Sequence, residues 1–252
     1  MATVLIEIGC EELPASACRE AEAQLPELCR RLLGVEPSRA LITPRRLALL
    51  VDDVPERTTD EWVKGPPVAM REKAAAGFAK RHGVSVEKLE ERDGFLGVES
   101  PGKPLAEVLP EHVGGILRGL AFSKTMRSNG DGLRFPRPVR WTLAMIDSAK
   151  VVGESSYGHR FGSGLIEIPD ASSYIDTLRK ADVEPDALER RKRIVDALDD
   201  LGGWTDPNGV LGEVVFLVEK PVVIEGRFDY RYLHLPRRVV ETTTQHHIRA
   251  FP

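Results

Sequence analysis

TVLIEIG, residues 3–9, predicts a buried strand near the start of the chain. Most of its residues are apolar or β-branched, and Gly9 allows the chain to break before Glu11 and Glu12. A helix is predicted next, because Pro14 suits a first helical turn and apolar residues then recur every three or four positions. These apolar residues are Ala17, Ala21, Leu25, Leu28 and Leu32.

Strand and helix patterns continue along the whole chain without an internal repeat. Residues 41–54 predict a strand, a break at Pro44 and a second strand, and residues 157–169 predict a hairpin. A further strand is predicted over 221–226. Helices are predicted over 71–83, 85–91, 104–120, 172–181, 185–203, 210–220 and from 235 onward.

These elements predict an α+β fold with mixed, mostly antiparallel sheets and packed helices, more helical toward the C-terminus. Pro169, Asp170 and Ala171 separate a strand-rich stretch from a helix-rich one. We therefore predict a strand-rich region over 1–169, which contains the basic segment 118–141, and a helix-rich region over 170–252.

Composition limits the class of protein. The 252 residues are 42% apolar, enough to bury a core, and 35 basic against 39 acidic residues give a net charge of −4. Any surface that attracts nucleic acid must therefore be local. The cysteines, Cys10, Cys18 and Cys29, lack the spacing of a zinc site and suit a reducing compartment. No basic n-region or long apolar run is present, so a cytoplasmic protein without membrane contact is predicted.

Catalytic motifs are missing from the sequence, including GxxxxGK, a GxGxxG that opens a helix, and HExxH. His246 and His247 are adjacent, which is poor metal geometry on a helix, so no metal site and no catalytic residue are predicted. Adjacent Glu11 and Glu12 point in different directions, and the simpler hypothesis is an acid pair at a helix N-terminus. His159 is either a proton shuttle or a half-buried hairpin histidine bound to backbone.

The segment 118–141 is basic, with six Lys or Arg residues against the single acid Asp131. RFPRPVRW, residues 134–141, is stiffened by two prolines. If it is extended, Arg134 and Arg140 share one face while Arg137 and Trp141 share the other. Lys124 and Arg127 extend the patch, which is suited to phosphate groups.

Structural explanations compete with this one. The arginines of 134–141 can pair with the acids that are frequent in residues 85–112. Trp141 can belong to the core rather than stack on a base. Residues 190–193, Arg-Arg-Lys-Arg, lie on a predicted helix and are expected to form mostly a solvated face.

Ten blocks of the sequence resemble the N-terminal part of the bacterial glycyl-tRNA synthetase beta subunit, in order and in approximate spacing. They are IEIGCEELP, TPRRLALLV, KGPP at 64–67, AAAGFAKRHGV, KTMR at 124–127, FPRPVRW, GHRF, ERRKRI, VEKPVVIEGRFD with LHLP, and QHHIRAF. Two segments depart from the family pattern: Cys10 stands where a threonine is usual, and Ile248 and Ala250 stand near a usual glutamine and tyrosine. The family's beta subunit is much longer, so the chain is similar to its first third or somewhat more.

The resemblance implies a division of labour. An alpha subunit would hold glycine, ATP and Mg²⁺ at the aminoacylation site, and this chain would bind no cofactor and be inactive alone. The beta subunit would hold glycine tRNA within an assembly of two alpha and two beta subunits. The residues expected to contact tRNA are Lys124, Arg127, Arg134, Arg137, Arg140, Trp141 and Arg160.

The matching blocks also contain polar residues whose roles the sequence leaves open: Glu7, Glu11, Glu12, Arg45, Arg46, His159, Gln245 and His247. Two other functions stay open. The chain could dock the alpha subunit without touching RNA, or it could hydrolyse charged tRNA through Glu11, Glu12 or His159, although no nucleophile and base stand together.

Overall fold

A computed structural model describes residues 1–127, 132–227 and 229–244. The chain divides into two compact units, one made of Met1–Val54 with Leu109–Pro252 and the other of Pro55–Val108. The sequence placed a division after residue 169 instead. Residues on both sides of 169, such as Leu143 and Tyr174, belong to one core cluster of the first unit.

The first unit is built on a five-stranded antiparallel sheet with the order β10-β9-β1-β3-β2. Its strands are β1 (Ala2–Cys10), β2 (Arg39–Thr43), β3 (Arg46–Val54), β9 (Val139–Ile146) and β10 (Ala149–Val152). Two smaller antiparallel pairs join β7 (Met126–Arg127) to β8 (Arg134–Phe135), and β11 (Ser156–Tyr157) to β12 (Leu165–Ile166).

The central strand β1 is buried on both faces, as its sequence predicts. Helix α1 (Ala15–Leu33) packs against β2 and β3. Leu5 and its neighbours across the sheet, Leu50 and Met145, join a cluster with Tyr174 and Leu178 of helix α4 (Tyr174–Lys180). A strand enclosed in this way stabilises the sheet by removing apolar side chains from water along its whole length.

The rest of the first unit is mostly helical. Its helices after α1 are α3 (Leu105–Gly119), which begins in the second unit, α4 (Tyr174–Lys180), α5 (Ala187–Leu201), α6 (Leu211–Val214) and α7 (Arg237–Thr243). Asp186 caps α5 by accepting a hydrogen bond of 2.8 Å from the backbone of Leu188. A 3₁₀ helix (Tyr230–His234) precedes α7.

The second unit has a three-stranded antiparallel sheet of order β4-β6-β5 and one full helix. The strands are β4 (Glu61–Pro67), β5 (Glu90–Arg92) and β6 (Phe95–Ser100), the helix is α2 (Arg71–Arg81), and 3₁₀ turns span Val68–Met70 and Val86–Lys88. Ala75 and Ala79 pack on Leu89, Leu96 and Val98 to form its core.

The α+β prediction is confirmed, and so are the opening strand and helix. The helix predicted over 85–91 is wrong, because Asp93 and Gly94 both have positive φ and form a tight turn that pairs β5 with β6. The strand predicted over 221–226 is also wrong. Those residues are irregular, and Val222 and Ile224 are exposed.

Across the described residues, no helix combines the length and apolar character that a membrane crossing requires.

Candidate functional site

The register of the central sheet builds the site. Gly9 of β1 lies opposite Arg46 of β3 on one side and Trp141 of β9 on the other, so the three share one face. Gly9 has no side chain, and Trp141 occupies the space above it: a Cβ on Gly9 would lie 1.8 Å from the indole ring. An aromatic and a guanidinium group therefore meet at one end of the sheet.

Beneath the indole lies a buried set of charged and polar side chains, Glu7, Arg46, Ser156 and Glu219, which we call the polar core. Arg46 Nη1 donates to Glu7 Oε1 at 3.2 Å, and Arg46 Nε donates to Glu219 Oε1 at 2.9 Å. Ser156 Oγ donates to the same Glu7 oxygen at 2.8 Å. The polar core thus joins β1, β3, β11 and the chain after α6 at one point.

Burial and the neighbouring charges of the polar core shift the pKa values of Glu7 and Arg46. Burial raises the pKa of the Glu7 carboxyl, and the Arg46 guanidinium and the Ser156 hydroxyl oppose that rise. The two carboxylates raise the pKa of Arg46 above its ordinary value against the opposing effect of burial. A buried charge is tolerated when it is paired and hydrogen-bonded, so Arg46 holds its charge here.

Above the polar core a cleft of about 280 Å³ opens at the same end of the sheet. It is lined by Glu11, Arg45, Val139, Arg140, Trp141 and Tyr157. The rings of Trp141 and Tyr157 lie 4.7 Å apart between centroids, and the Arg45 guanidinium carbon lies 5.8 Å from the Trp141 ring. Nε and Nη1 of Arg45 are buried without a hydrogen-bond acceptor in the described chain.

Two ion pairs stand near the mouth of this cleft. A bulge between Gly9 and Cys10 makes Arg140 an extra residue of β9, and Arg140 Nε lies 3.3 Å from Glu11 Oε1. Arg160, in the loop between β11 and β12, pairs with Glu12. The acid pair does not stand in the first turn of α1, which starts at Ala15, so the helix-dipole hypothesis for Glu11 and Glu12 is wrong.

His159 lies beside these pairs but outside the cleft. It is half-buried, its backbone N–H donates to Ala181 O at 2.9 Å, and its ring lies 5.9 Å from that of Phe161. This geometry supports the simpler of the two interpretations, a hairpin histidine tied down through its backbone.

A second cationic surface is formed by Lys124, Arg127, Arg134 and Arg137, which we call the basic ribbon. Arg127 and Arg134 lie directly opposite one another on β7 and β8. Like charges in that position repel, unless an anion lies between them. No carboxylate of residues 1–127, 132–227 or 229–244 forms an ion pair with any of the four. Their hydrogen bonds are to neutral acceptors: Arg134 Nε donates to Thr125 Oγ1 at 3.2 Å, and Arg137 Nη1 donates to Pro136 O at 2.9 Å.

The basic ribbon has a firm base. Phe135 is buried and meets Phe122 edge to face at 4.9 Å between centroids. Gln24 of α1 holds the backbone of Ala121 from both sides, accepting from its N–H at 2.9 Å and donating to its carbonyl at 2.7 Å. The backbone that carries the ribbon is therefore anchored at Ala121 and at Phe135, which lowers the entropy lost when its cations bind a ligand.

The predicted residues thus separate into groups. Glu7 and Arg46 belong to the polar core, while Glu11, Arg45, Arg140 and Trp141 line the cleft. Gln245 and His247 lie outside the described residues. Glu219, Tyr157 and Ser156 were missed, and the only signal for Glu219 was its place in the VEKP block.

Comparison with known proteins identifies the family of the chain. The family model described as glycyl-tRNA synthetase beta subunit matches residues 4–252. The chain is 34% identical over its full length to a glycine–tRNA ligase beta subunit of Thermotoga maritima, of which it covers 42%. It is 36% identical, over 99% of its length, to that of Trichodesmium erythraeum, of which it covers 40%.

A third relative, from Moorella thermoacetica, is 35% identical over 99% of the chain, which covers 41% of it. The chain therefore spans about two fifths of the length of these curated relatives. Because the family model matches nearly every residue, the chain belongs to the glycyl-tRNA synthetase beta subunit family.

Proposed function

We propose that the chain is the N-terminal part of a glycine–tRNA ligase beta subunit and that it holds tRNA through backbone contacts made by the basic ribbon. The observation that carries this proposal is the cross-strand pair Arg127 and Arg134, two exposed guanidinium groups that face each other without a carboxylate between them in the described chain. A phosphate group accepts bidentate hydrogen bonds from guanidinium and removes the repulsion.

The contact with RNA is sequence-independent in this proposal. Phosphate contacts position a protein on its RNA, and base contacts supply specificity. The aminoacylation site, with its ATP and Mg²⁺, would lie on an alpha subunit in a cytoplasmic assembly of two alpha and two beta subunits. The parts of the relatives beyond this chain would add contacts of their own.

The test is the affinity of glycine tRNA for the double variant Arg127→Ala/Arg134→Ala. We expect a loss of about tenfold or more near 0.1 M salt, and a salt slope that is smaller by about 2, since each phosphate contact contributes roughly 0.9 to the slope. The matched control is Arg191→Ala/Lys192→Ala, which removes two exposed cations of α5 and should leave the affinity unchanged.

An unchanged affinity and slope in the double variant would overturn the RNA contact. Co-purification of the same variant with the alpha subunit then tests the alternative function, docking without RNA contact. If the basic ribbon serves only as a protein interface, the double variant should lose its binding to the alpha subunit and keep its affinity for tRNA.

The division of labour has a separate test. The chain alone should catalyse no exchange between ATP and pyrophosphate in the presence of glycine, because adenylate formation is assigned to the alpha subunit. Exchange catalysed by the purified chain would contradict that assignment.

A further inference from the structure

We propose that the cleft above the polar core binds one unpaired nucleotide of the RNA, with the base against Tyr157 and Trp141 and the phosphate toward Arg45. This inference rests on the proposed RNA contact and goes beyond it, because the basic ribbon touches only backbone.

The size and lining of the cleft fit such a ligand. Its volume of about 280 Å³ is near the lower end for small-molecule sites, which hold about 300–1,000 Å³. A single nucleotide is of that order, whereas a duplex is far too wide. The lining combines two aromatic side chains with two arginines and one carboxylate, and this mixture suits a flat base that carries a charged phosphate.

Arg45 supplies the strongest argument for an anion. Two of its guanidinium nitrogens are shielded from water and meet no acceptor in the described part of the chain. Its neighbour Arg46 differs, because Glu7 and Glu219 accept from it. Arg45 is half-buried, lines the cleft and forms no ion pair within the described residues, so a phosphate oxygen in the cleft meets a guanidinium group whose charge no carboxylate already pairs.

The aromatic side of the cleft is fixed before any ligand arrives. Trp141 lies flat over Gly9, and Tyr157 is held at its position by the pairing of β11 with β12. Rigid rings lose little entropy when a base stacks on them. A base held in a helix has both faces covered by its neighbours, so only an unstacked nucleotide can enter.

The rim of the cleft adds groups that suit single-stranded RNA. The pair between Arg140 and Glu11 is exposed and weak, so its members can rearrange around a ligand. Glu12 forms an ion pair with Arg160. The next residue, Phe161, is 87% exposed. An exposed phenylalanine beside an arginine offers a stacking surface for a further base.

The chain connects the cleft to the basic ribbon. Arg134 of the ribbon and Arg140 of the cleft are six residues apart, so they are separated by at most about 20 Å even in a fully extended chain. One RNA molecule can therefore reach both. This connection favours an RNA nucleotide over a free one as the occupant.

The test compares two RNA probes, a blunt duplex and the same duplex with a short single-stranded 3′ extension. The chain should bind the extended probe about fivefold to a hundredfold more tightly, the contribution of one stacked base. Tyr157→Ala and Arg45→Met should each reduce this ratio toward one without changing the affinity for the blunt probe. Tyr157→Phe, which keeps the ring, should preserve the ratio, and the double variant of the basic ribbon should weaken both probes equally.

Each other outcome has a definite meaning. Equal binding of the two probes by the unmodified chain, with both weakened in the ribbon variant, overturns the cleft proposal and leaves the proposed function in place. A ratio that survives in both cleft variants also overturns the cleft proposal. Failure of both probes to bind overturns both proposals. Thermal unfolding checks that each variant is folded, and if Tyr157→Ala is not, Arg45→Met carries the test.

Discussion

Arg46 and Arg190 are fully buried in this chain, whereas Arg127 and Arg134 project from the short pair β7–β8. Nε and Nη1 of Arg46, and all three guanidinium nitrogens of Arg190, donate to internal acceptors. The exposed pair have no carboxylate partner in the part of the chain that is described. An arginine that meets internal acceptors therefore stabilises the fold, whereas an exposed arginine without a carboxylate partner is available to a ligand.

The two buried arginines also differ from one another. Arg46 meets two carboxylates, while Arg190 donates only to backbone carbonyls, among them Ile42 O at 2.7 Å and Val215 O at 2.9 Å. Burial lowers the pKa of Arg190 to about 10, since no carboxylate lies close enough to compensate fully. Arg46 connects the segment after α6 to the central sheet, and Arg190 connects α5 to it.

Residues 190–193 were predicted to form mostly a solvated face, and three of the four are exposed. Arg190 is the exception, because it is buried, and the exposed Arg193 pairs with the buried Glu184. Of these four residues, only Arg191 and Lys192 are both exposed and without an ion pair to the described residues. They are matched controls for that reason.

The largest effect is expected for Arg46→Met. The substitution leaves Glu7 and Glu219 as buried carboxylates without a counter-charge, which should lower the free energy of unfolding by about 3–5 kcal/mol. Urea unfolding followed by circular dichroism measures it. A loss below about 1 kcal/mol would mean that the polar core does not hold the sheet to the C-terminal helices.

The Arg46→Met variant should also respond to pH. Without Arg46 the pKa of Glu7 rises further above its value in the unfolded chain, so the folded state binds protons more tightly. Stability should therefore fall as pH rises from the unfolded value of a glutamate, about 4.3, through the raised folded value. A stability that instead increases over this range would contradict the assignment of Glu7 as a buried, raised carboxyl.

A smaller loss is expected for Arg190→Met. It leaves four neutral carbonyls without their donor, those of Ile42, Glu184, Pro185 and Val215, at a cost of about 2–4 kcal/mol in the free energy of unfolding. Arg191→Met, one position along α5, should change it by less than about 0.5 kcal/mol. Equal losses in the two variants would remove the distinction between buried and exposed arginines on this helix.

Substitutions in the basic ribbon should not lower stability, unlike substitutions of the buried arginines. Arg127→Gln removes one of two like charges that face each other across β7–β8, so stability should stay the same or rise by about 0.2–1 kcal/mol. The affinity of the same variant for tRNA should fall. A marked loss of stability would show that Arg127 supports the fold, which would contradict the distinction between buried and exposed arginines.

The smallest effect is expected for thiol labelling. Cys10, Cys18 and Cys29 are buried, and burial raises the pKa of Cys18 to about 12 and that of Cys29 to about 11. Alkylation at neutral pH should therefore be negligible in the folded chain. Labelling measured by mass spectrometry should increase in Arg46→Met and Arg190→Met but not in the ribbon variant, and rapid labelling of the unmodified chain would contradict the burial of these thiols.

Local pattern was enough for much of the fold. The apolar run of β1 and the spacing of Ala17, Ala21, Leu25 and Leu28 predicted the first strand and the first helix correctly. The turn at Asp93 and Gly94 was missed although its sequence is typical of a two-residue hairpin, and the hairpin took the place of a predicted helix. Val222 and Ile224 have strand propensity, but these residues form no strand.

The candidate site was only partly predictable. The basic segment could be found from charge alone, because charge is a property of the sequence. The residue that pairs with each charge could not be found from the sequence. Arg46 and Glu219 are 173 positions apart, and Arg46 and Glu7 are 39 apart, so no local periodicity connects them.

The sequence by itself determined most of the strands and helices, the family and the position of the basic segment, because those depend on residue type and on spacing along the chain. Tertiary structure decided which arginines are buried, which meet a carboxylate and which stay open to a ligand. Those properties depend on register across the sheet and on contacts between distant segments, and a guanidinium group gains or loses most of its energy through them.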